Sequence, residues 1–185
     1  METTMPVINE KDFAHLHAGE VDFRAVEVAA SKMFRQEYAT RPDVVHAEDM
    51  PIEHSPDGLI KHLVHRNMNT KECCIEAYMQ FLKAGEKSGK HRHMWEEVVF
   101  VLEGSGYDLH WDLDFDCKEE FEWSWKTEPK KFAWERGDFI YIPPFTEHQH
   151  FNDGEGEARF IVISNRIVKD MGFNWFDQLE NAPGY

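Results

Sequence analysis

Apolar and polar residues alternate through most of the middle of the chain, the period-two pattern of strands that keep one face in a core. In the segment 74–82, Ile75, Ala77, Met79 and Phe81 take one side and Glu76, Tyr78, Gln80 and Leu82 the other, so one set is expected to line a barrel. Gly58 to His65 reads as another strand, with Ile60, His62 and Val64 on one face and Leu59, Lys61, Leu63 and His65 on the other. Val99 and Val101 continue a third, which ends at the turn Glu103-Gly104-Ser105-Gly106. Tyr107, Leu109, Trp111, Leu113 and Phe115 then share a register, Phe132 to Ile142 forms a strand broken at Arg136-Gly137-Asp138, and Ala158 to Ser164 is an apolar run suited to a buried strand. At least eight short strands with turn residues between them predict an all-β fold, an antiparallel double-sheet barrel of the jelly-roll kind.

The period changes near the start of the chain. Val26, Val28, Ala29, Met33 and Phe34 recur at helical spacings, predicting a short amphipathic helix from about Arg24 to Tyr38 that packs on the outside of the barrel, with Arg41-Pro42 as its stop. Residues 1–22 show weak periodicity and read as an irregular arm. The stretch 112–131 is acidic and aromatic, and Phe121, Trp123 and Trp125 alternate with polar residues, as in a β-hairpin. Its apolar face needs a cover, which either the same barrel or a second subunit supplies; the second case makes the protein a homodimer. Met171, Phe173, Trp175, Phe176 and Leu179 make an apolar tail expected to dock on a surface. The expected organisation is an N-terminal arm and helix at 1–57, a barrel at 58–166 and a docking tail at 167–185.

Composition narrows the partners. At 185 residues the chain is long enough for one domain with a sizeable core. With 35 acidic against 20 basic residues the net charge is −15, and no lysine and arginine cluster stands ready to neutralise phosphates, which argues against nucleic acid and anionic membrane as partners. The stretch from Met1 to Glu10 lacks the pattern of a secretory signal and no apolar run is long enough for a membrane span, so a cytoplasmic location is expected. Three cysteines, Cys73, Cys74 and Cys117, form no disulfide framework and fit a reducing compartment.

Candidate chemistry lies in two short runs. His91, His93 and Glu97 share a parity that puts them on the same face of a strand, while Glu96 falls on the other; His148 arrives from a different strand. A lone histidine pair is weak evidence, but imidazoles with a carboxylate are the donors a divalent transition metal takes when it keeps positions open for substrate. His150 shares the parity of His148 and is a candidate acid or base, and Tyr107, with Trp111, is a candidate for the pocket wall.

The full spacing of both runs resembles the two motifs of the cupin superfamily. The first is Gly85, five residues, His91, one residue, His93, three residues, Glu97, six residues, Gly104; the second is Gly137, five residues, Pro143, four residues, His148, three residues, Asn152. One position departs: Phe145 stands where the family pattern has glycine. The resemblance covers roughly residues 75–165 and implies a double-stranded β-helix (jelly-roll) barrel holding a metal on His91, His93, Glu97 and His148. Within the superfamily, His91-Arg92-His93, Glu135-Arg136-Gly137-Asp138-Phe139 and His148-Gln149-His150-Phe151-Asn152 look like gentisate-type ring-cleaving dioxygenases, which bind iron through three histidines, so that Glu97 is an added ligand here. The H-x-H, three residues, Glu spacing is also that of acireductone dioxygenases. The expected function is an Fe(II) dioxygenase acting with dioxygen on a small hydroxylated aromatic or enediol substrate, with manganese, nickel or zinc as alternative metals. A non-oxidative lyase, decarboxylase or isomerase, and a non-catalytic small-ligand binder, are the other readings.

Overall fold

The computed structural model describes residues 22–71, 74–117 and 119–185, so the expected arm, apart from Asp22, and Cys73 lie outside the described residues. The chain divides into two compact units, Met1–Arg41 and Pro42–Tyr185. The first contains helix α1 (Phe23–Thr40), a little longer than the apolar spacing predicts. Its start is set by Asp22, whose carboxylate accepts from the Ala25 N–H at 2.9 Å, and its end by Arg41, extended as a residue before proline must be.

Among the described residues the second unit carries thirteen strands: β1 (Ile52–Ser55), β2 (Gly58–Val64), β3 (Ile75–Leu82), β4 (Lys90–His93), β5 (Glu97–Glu103), β6 (Ser105–Trp111), β7 (Leu113–Cys117), β8 (Phe121–Trp125), β9 (Lys130–Glu135), β10 (Phe139–Ile142), β11 (Glu147–Asn152), β12 (Ala158–Asn165) and β13 (Phe176–Glu180). A short helix α2 (Ile167–Asp170) precedes β13. Six strands form one sheet in the order β1-β2-β3-β12-β5-β10 and five form the other in the order β13-β4-β11-β6-β9, every pairing antiparallel. This is the predicted jelly roll.

The apolar run of β12 lies between β3 and β5, with Val162 opposite both Tyr78 and Val99. Its inward residues Ala158, Phe160 and Val162 pack with Leu82, Val99, Val101, Ile142 and Trp134 into one cluster, and each large apolar side chain buried there contributes about 1.5–3 kcal/mol. Tyr78 and Gln80 take the same inward side of β3 as Leu82. Gly104 turns β5 into β6 with φ +90°, and a Cβ there would stand 2.7 Å from Ala158, so the tight corner admits no larger residue.

The acidic, aromatic stretch is a separate two-stranded hairpin, β7 against β8. It rests partly on its own barrel: the Trp125 indole N–H donates to the Phe145 carbonyl and the Arg92 guanidinium lies 3.7 Å from the Trp125 ring. The apolar tail adds β13 to the edge of β4, with Gln178 opposite His91 and Phe176 opposite His93. Among the described residues no helix is long and apolar enough to cross a membrane.

Candidate metal centre

β4 supplies His91 and His93, and its neighbour β11 supplies His148, which sits directly opposite His91 in the register. Glu97 reaches the same place by another route. The expectation that Glu97 shares a strand face with the two histidines is corrected here: β4 ends at His93, the chain turns through residues 94–96, and Glu97 opens β5 in the other sheet. The turn is held by Met94 N–H donating to Trp175 O at 3.0 Å and by Phe145 N–H donating to His93 O at 2.7 Å. Glu96 points away and accepts from the Tyr141 hydroxyl at 3.2 Å.

All four side chains are buried, and one donor atom from each lies within 4.8 Å of the others. Glu97 Oε2 is 3.6 Å from His93 Nε2, and its Oε1 is 3.8 Å from His148 Nε2. The far ring nitrogens are already occupied. His93 Nδ1 donates to Trp95 O at 2.7 Å and His148 Nδ1 to Thr146 O at 2.9 Å, which leaves each Nε2 lone pair facing the cluster. His93 Nε2, His148 Nε2 and Glu97 Oε1 are buried without a hydrogen-bond partner among the described residues, a costly state that a shared cation relieves. Burial pushes the His148 imidazole well below its ordinary pKa, and His91 and His93 beside it push the same way, so it stays neutral as a ligand must. The residues present therefore fit a divalent metal.

Three of the four donors, His91, His93 and Glu97, line a cavity of about 340 Å³. Phe176 stacks against His91 with centroids 5.4 Å apart, and Trp95 stacks on His93 at 4.6 Å, so two aromatic faces flank the donors. Tyr78 lines the wall; burial raises its hydroxyl pKa well above the ordinary value, with the charges of Glu97, Asp57 and Glu76 adding to the effect. His62 and His65 also line this cavity, together with Lys169.

The other sequence candidates fall elsewhere. Tyr107 pairs with Phe151 in the register and stacks on it at 4.8 Å, with Lys131 Nζ 3.5 Å from its ring, on the face of β6 turned away from His148. The inward residues of β6 are Asp108 and His110, opposite His150 and His148. The expected pocket parity of Tyr107 and Trp111 is thus reversed: cation contacts from Lys131 and Lys90 cover these rings outside, while polar groups fill the interior. His150 does face inward, its ring 5.8 Å from that of His148, but its Nδ1 is hydrogen-bonded at 2.8 Å to Asp108 and it does not line the cavity. Asp57, Tyr78 and Phe176 carry no local spacing signal and come to the site only through the tertiary fold.

A jelly roll with three histidines and a glutamate gathered inside it defines a metal-binding cupin. Residues 39–177 match the auxin binding protein family, a cupin-type, germin-like family, and the chain belongs to it. It is 30% identical over 112 residues to the uncharacterized protein MJ1618 of Methanocaldococcus jannaschii, a match that spans 58% of this chain and 74% of that one. Among solved structures, a point mutant of the Bacillus subtilis oxalate decarboxylase OxdC is similar with a TM-score of 0.53 and 16% identity, covering 70% of this chain and 30% of that one. The plu4264 protein of Photorhabdus luminescens is similar with a TM-score of 0.50 and 19% identity, covering 71% of this chain and 92% of that one. The chain spans less than a third of the decarboxylase's length, and at these identities both likenesses are of fold.

Proposed function

We propose that the protein is an Fe(II)-dependent dioxygenase for a small hydroxylated aromatic or enediol compound, with His91, His93, Glu97 and His148 as the metal ligands. The observation that carries this reading is the convergence of these four donors, within 4.8 Å of one another, at an aromatic-walled cavity sized for a small molecule. A bound metal supplies Lewis acidity and a path for electrons between a chelating substrate and dioxygen; manganese, nickel and zinc suit overlapping ligands. Phe176, exposed beside His91, offers a flat apolar face to an aromatic or conjugated substrate. The Tyr78 hydroxyl, kept protonated, is positioned to donate a hydrogen bond to a substrate oxygen. His150, tied to Asp108 behind His148, orders the interior rather than touching substrate.

Metal quantification on anaerobically purified protein, followed by oxygen-electrode assays with catechols, gentisate, salicylate-like acids and enediols, tests the reading. Stoichiometric iron and oxygen uptake with one of them are expected; absence of any stoichiometric transition metal overturns the metal centre. Turnover without oxygen uptake selects a decarboxylase, lyase or isomerase on the same ligands.

A second reading, non-catalytic binding of a small aromatic acid, is favoured by the family's auxin-binding description and by the stacked walls. Saturable binding of such an acid to the metal-loaded protein, with no product formed, selects it. In either case the exposed free thiol of Cys74 fits a cytoplasmic setting. The exposed aromatic rings of Phe115 and Trp123 fit a homodimer, which light scattering checks.

A further inference from the structure

Asp57 lies in the turn between β1 and β2 and is gripped from several sides. Its N–H donates to Ser55 Oγ at 3.1 Å, its carbonyl accepts from the buried Gln80 amide at 2.7 Å, and its Oδ1 accepts from Gln178 Nε2 at 3.0 Å. The neighbouring Pro56 carbonyl accepts from Ala182 N–H at 2.6 Å. Gly89 closes the remaining side: a Cβ there would stand 2.5 Å from both Pro56 O and Gln178 Nε2, and 2.8 Å from Asp57 Oδ1. Residues from β3 and the C-terminal tail thus fix the backbone of this turn, Gly89 leaves room for it, and Gln178 of β13 holds the carboxylate.

That carboxylate is aimed at a ligand. Asp57 Oδ1 is 2.8 Å from His91 Nδ1, close but off the line of the ring N–H, and Asp57 is not one of the four converging donors. His93 and His148 hold their Nδ1 protons on backbone carbonyls, whereas His91 Nδ1 is buried without a hydrogen-bond partner among the described residues and has the Asp57 carboxylate as its polar neighbour.

We propose that Asp57 is a positioning residue for the metal centre, keeping the His91 proton on Nδ1 so that Nε2 faces the other donors, and that Gln178 of β13 holds Asp57 in place. The inference rests on the metal-centre reading above. An imidazole free to flip or change tautomer offers the wrong nitrogen part of the time, whereas an anionic partner suppresses that state and raises the basicity of the ligating nitrogen. Because Gln178 also faces His91 across the β13–β4 register, one strand braces both the backbone of the ligand and its carboxylate.

Zinc is the probe, its dissociation constant measured by chelator competition for wild type, Asp57→Asn, Asp57→Ala and Gln178→Ala. Asp57→Ala is expected to weaken binding by about 10–100-fold, the usual cost of losing such an outer partner. Asp57→Asn, which keeps an acceptor without the charge, and Gln178→Ala are expected to weaken it less. Nitrogen-15 NMR of the metal-free protein reads the tautomer directly: His91 protonated on Nδ1 in wild type, with that preference lost in Asp57→Ala. A merely structural turn would lower the melting temperature and leave the tautomer alone. His91 protonated on Nε2 in metal-free wild type, or zinc affinity within about twofold of wild type in folded Asp57→Ala, overturns the proposal. Since the wild-type tautomer decides by itself, a variant that fails to fold leaves the test intact. A wild type that binds no zinc or other transition metal overturns the metal-centre reading instead.

Discussion

Trp125 donates its indole N–H to the carbonyl of Phe145 at 2.8 Å, and Phe145 is the one non-glycine residue among those described with a positive φ, +63°. The position where cupins have glycine therefore keeps the glycine conformation while carrying a buried ring, which packs against Trp175 with centroids 5.3 Å apart. Left-handed backbone costs a non-glycine residue about 1–2 kcal/mol, whereas deleting a buried phenylalanine ring costs about 3–5 kcal/mol. Phe145→Gly is therefore expected to destabilise the protein by about 2–3 kcal/mol despite matching the family pattern. Trp125→Phe, which removes the hydrogen bond and part of the ring beneath Arg92, is expected to cost at least about 1 kcal/mol. Urea denaturation midpoints check both.

Removing metal is expected to lower the melting temperature, because His93 Nε2, His148 Nε2 and Glu97 Oε1 are then left buried without partners. Free metal at a hundred times its dissociation constant adds about 2.7 kcal/mol to stability. Calorimetry with and without chelator measures the difference. In His148→Ala the metal-dependent increment is expected to vanish, and elemental analysis is expected to find no retained metal.

Acid stability should depend on the buried pair Asp108 and His150. Burial raises the Asp108 carboxyl, but the His150 charge, the hydrogen bond from His150 and the His110 imidazole 3.5 Å away outweigh it and bring the pKa from 3.8 to about 2. Burial lowers the His150 imidazole, but Asp108 outweighs that and leaves it above 6.5. The Asp108 contribution is thus present above pH 3.8 and lost as pH falls towards 2, while the His150 contribution is present below 6.5 and lost as pH rises through its folded value. Metal-free Asp108→Asn is expected to lose about 2 kcal/mol between these limits and to show a flatter pH–stability curve. Denaturation at a series of pH values checks it.

Tyr78→Phe keeps the ring that packs on the core and removes the hydroxyl in the cavity wall. Metal content and melting temperature are expected to stay near wild type, while turnover or ligand affinity falls by about 10-fold, the worth of one hydrogen bond to a charged or polarised oxygen. Side-by-side metal analysis and ligand titration separate the two effects.

The jelly roll was legible because β3, β5 and β12 alternate or run apolar as buried strands do, with turn residues at their ends. The four donors were legible from spacing, although strand parity places Glu97 beside the histidines only if the strand is continuous, and the chain changes sheet there. β6 misled for a physical reason: large aromatics normally mark the buried face, but here the buried face serves polar chemistry and Asp108 and His110 occupy it. Asp57, Tyr78 and Phe176 were invisible because their relation to His91 or Glu97 crosses between strands distant in sequence, and no local period records that.

The pairing of β13 with β4 also orders events during synthesis. His91 and His93 emerge from the ribosome long before Phe176 and Gln178, so the strand bearing them stays unbraced on one edge while translation proceeds. Any cation held on β4 therefore gains the bracing of Phe176 and Gln178 only after β13 has paired with that strand.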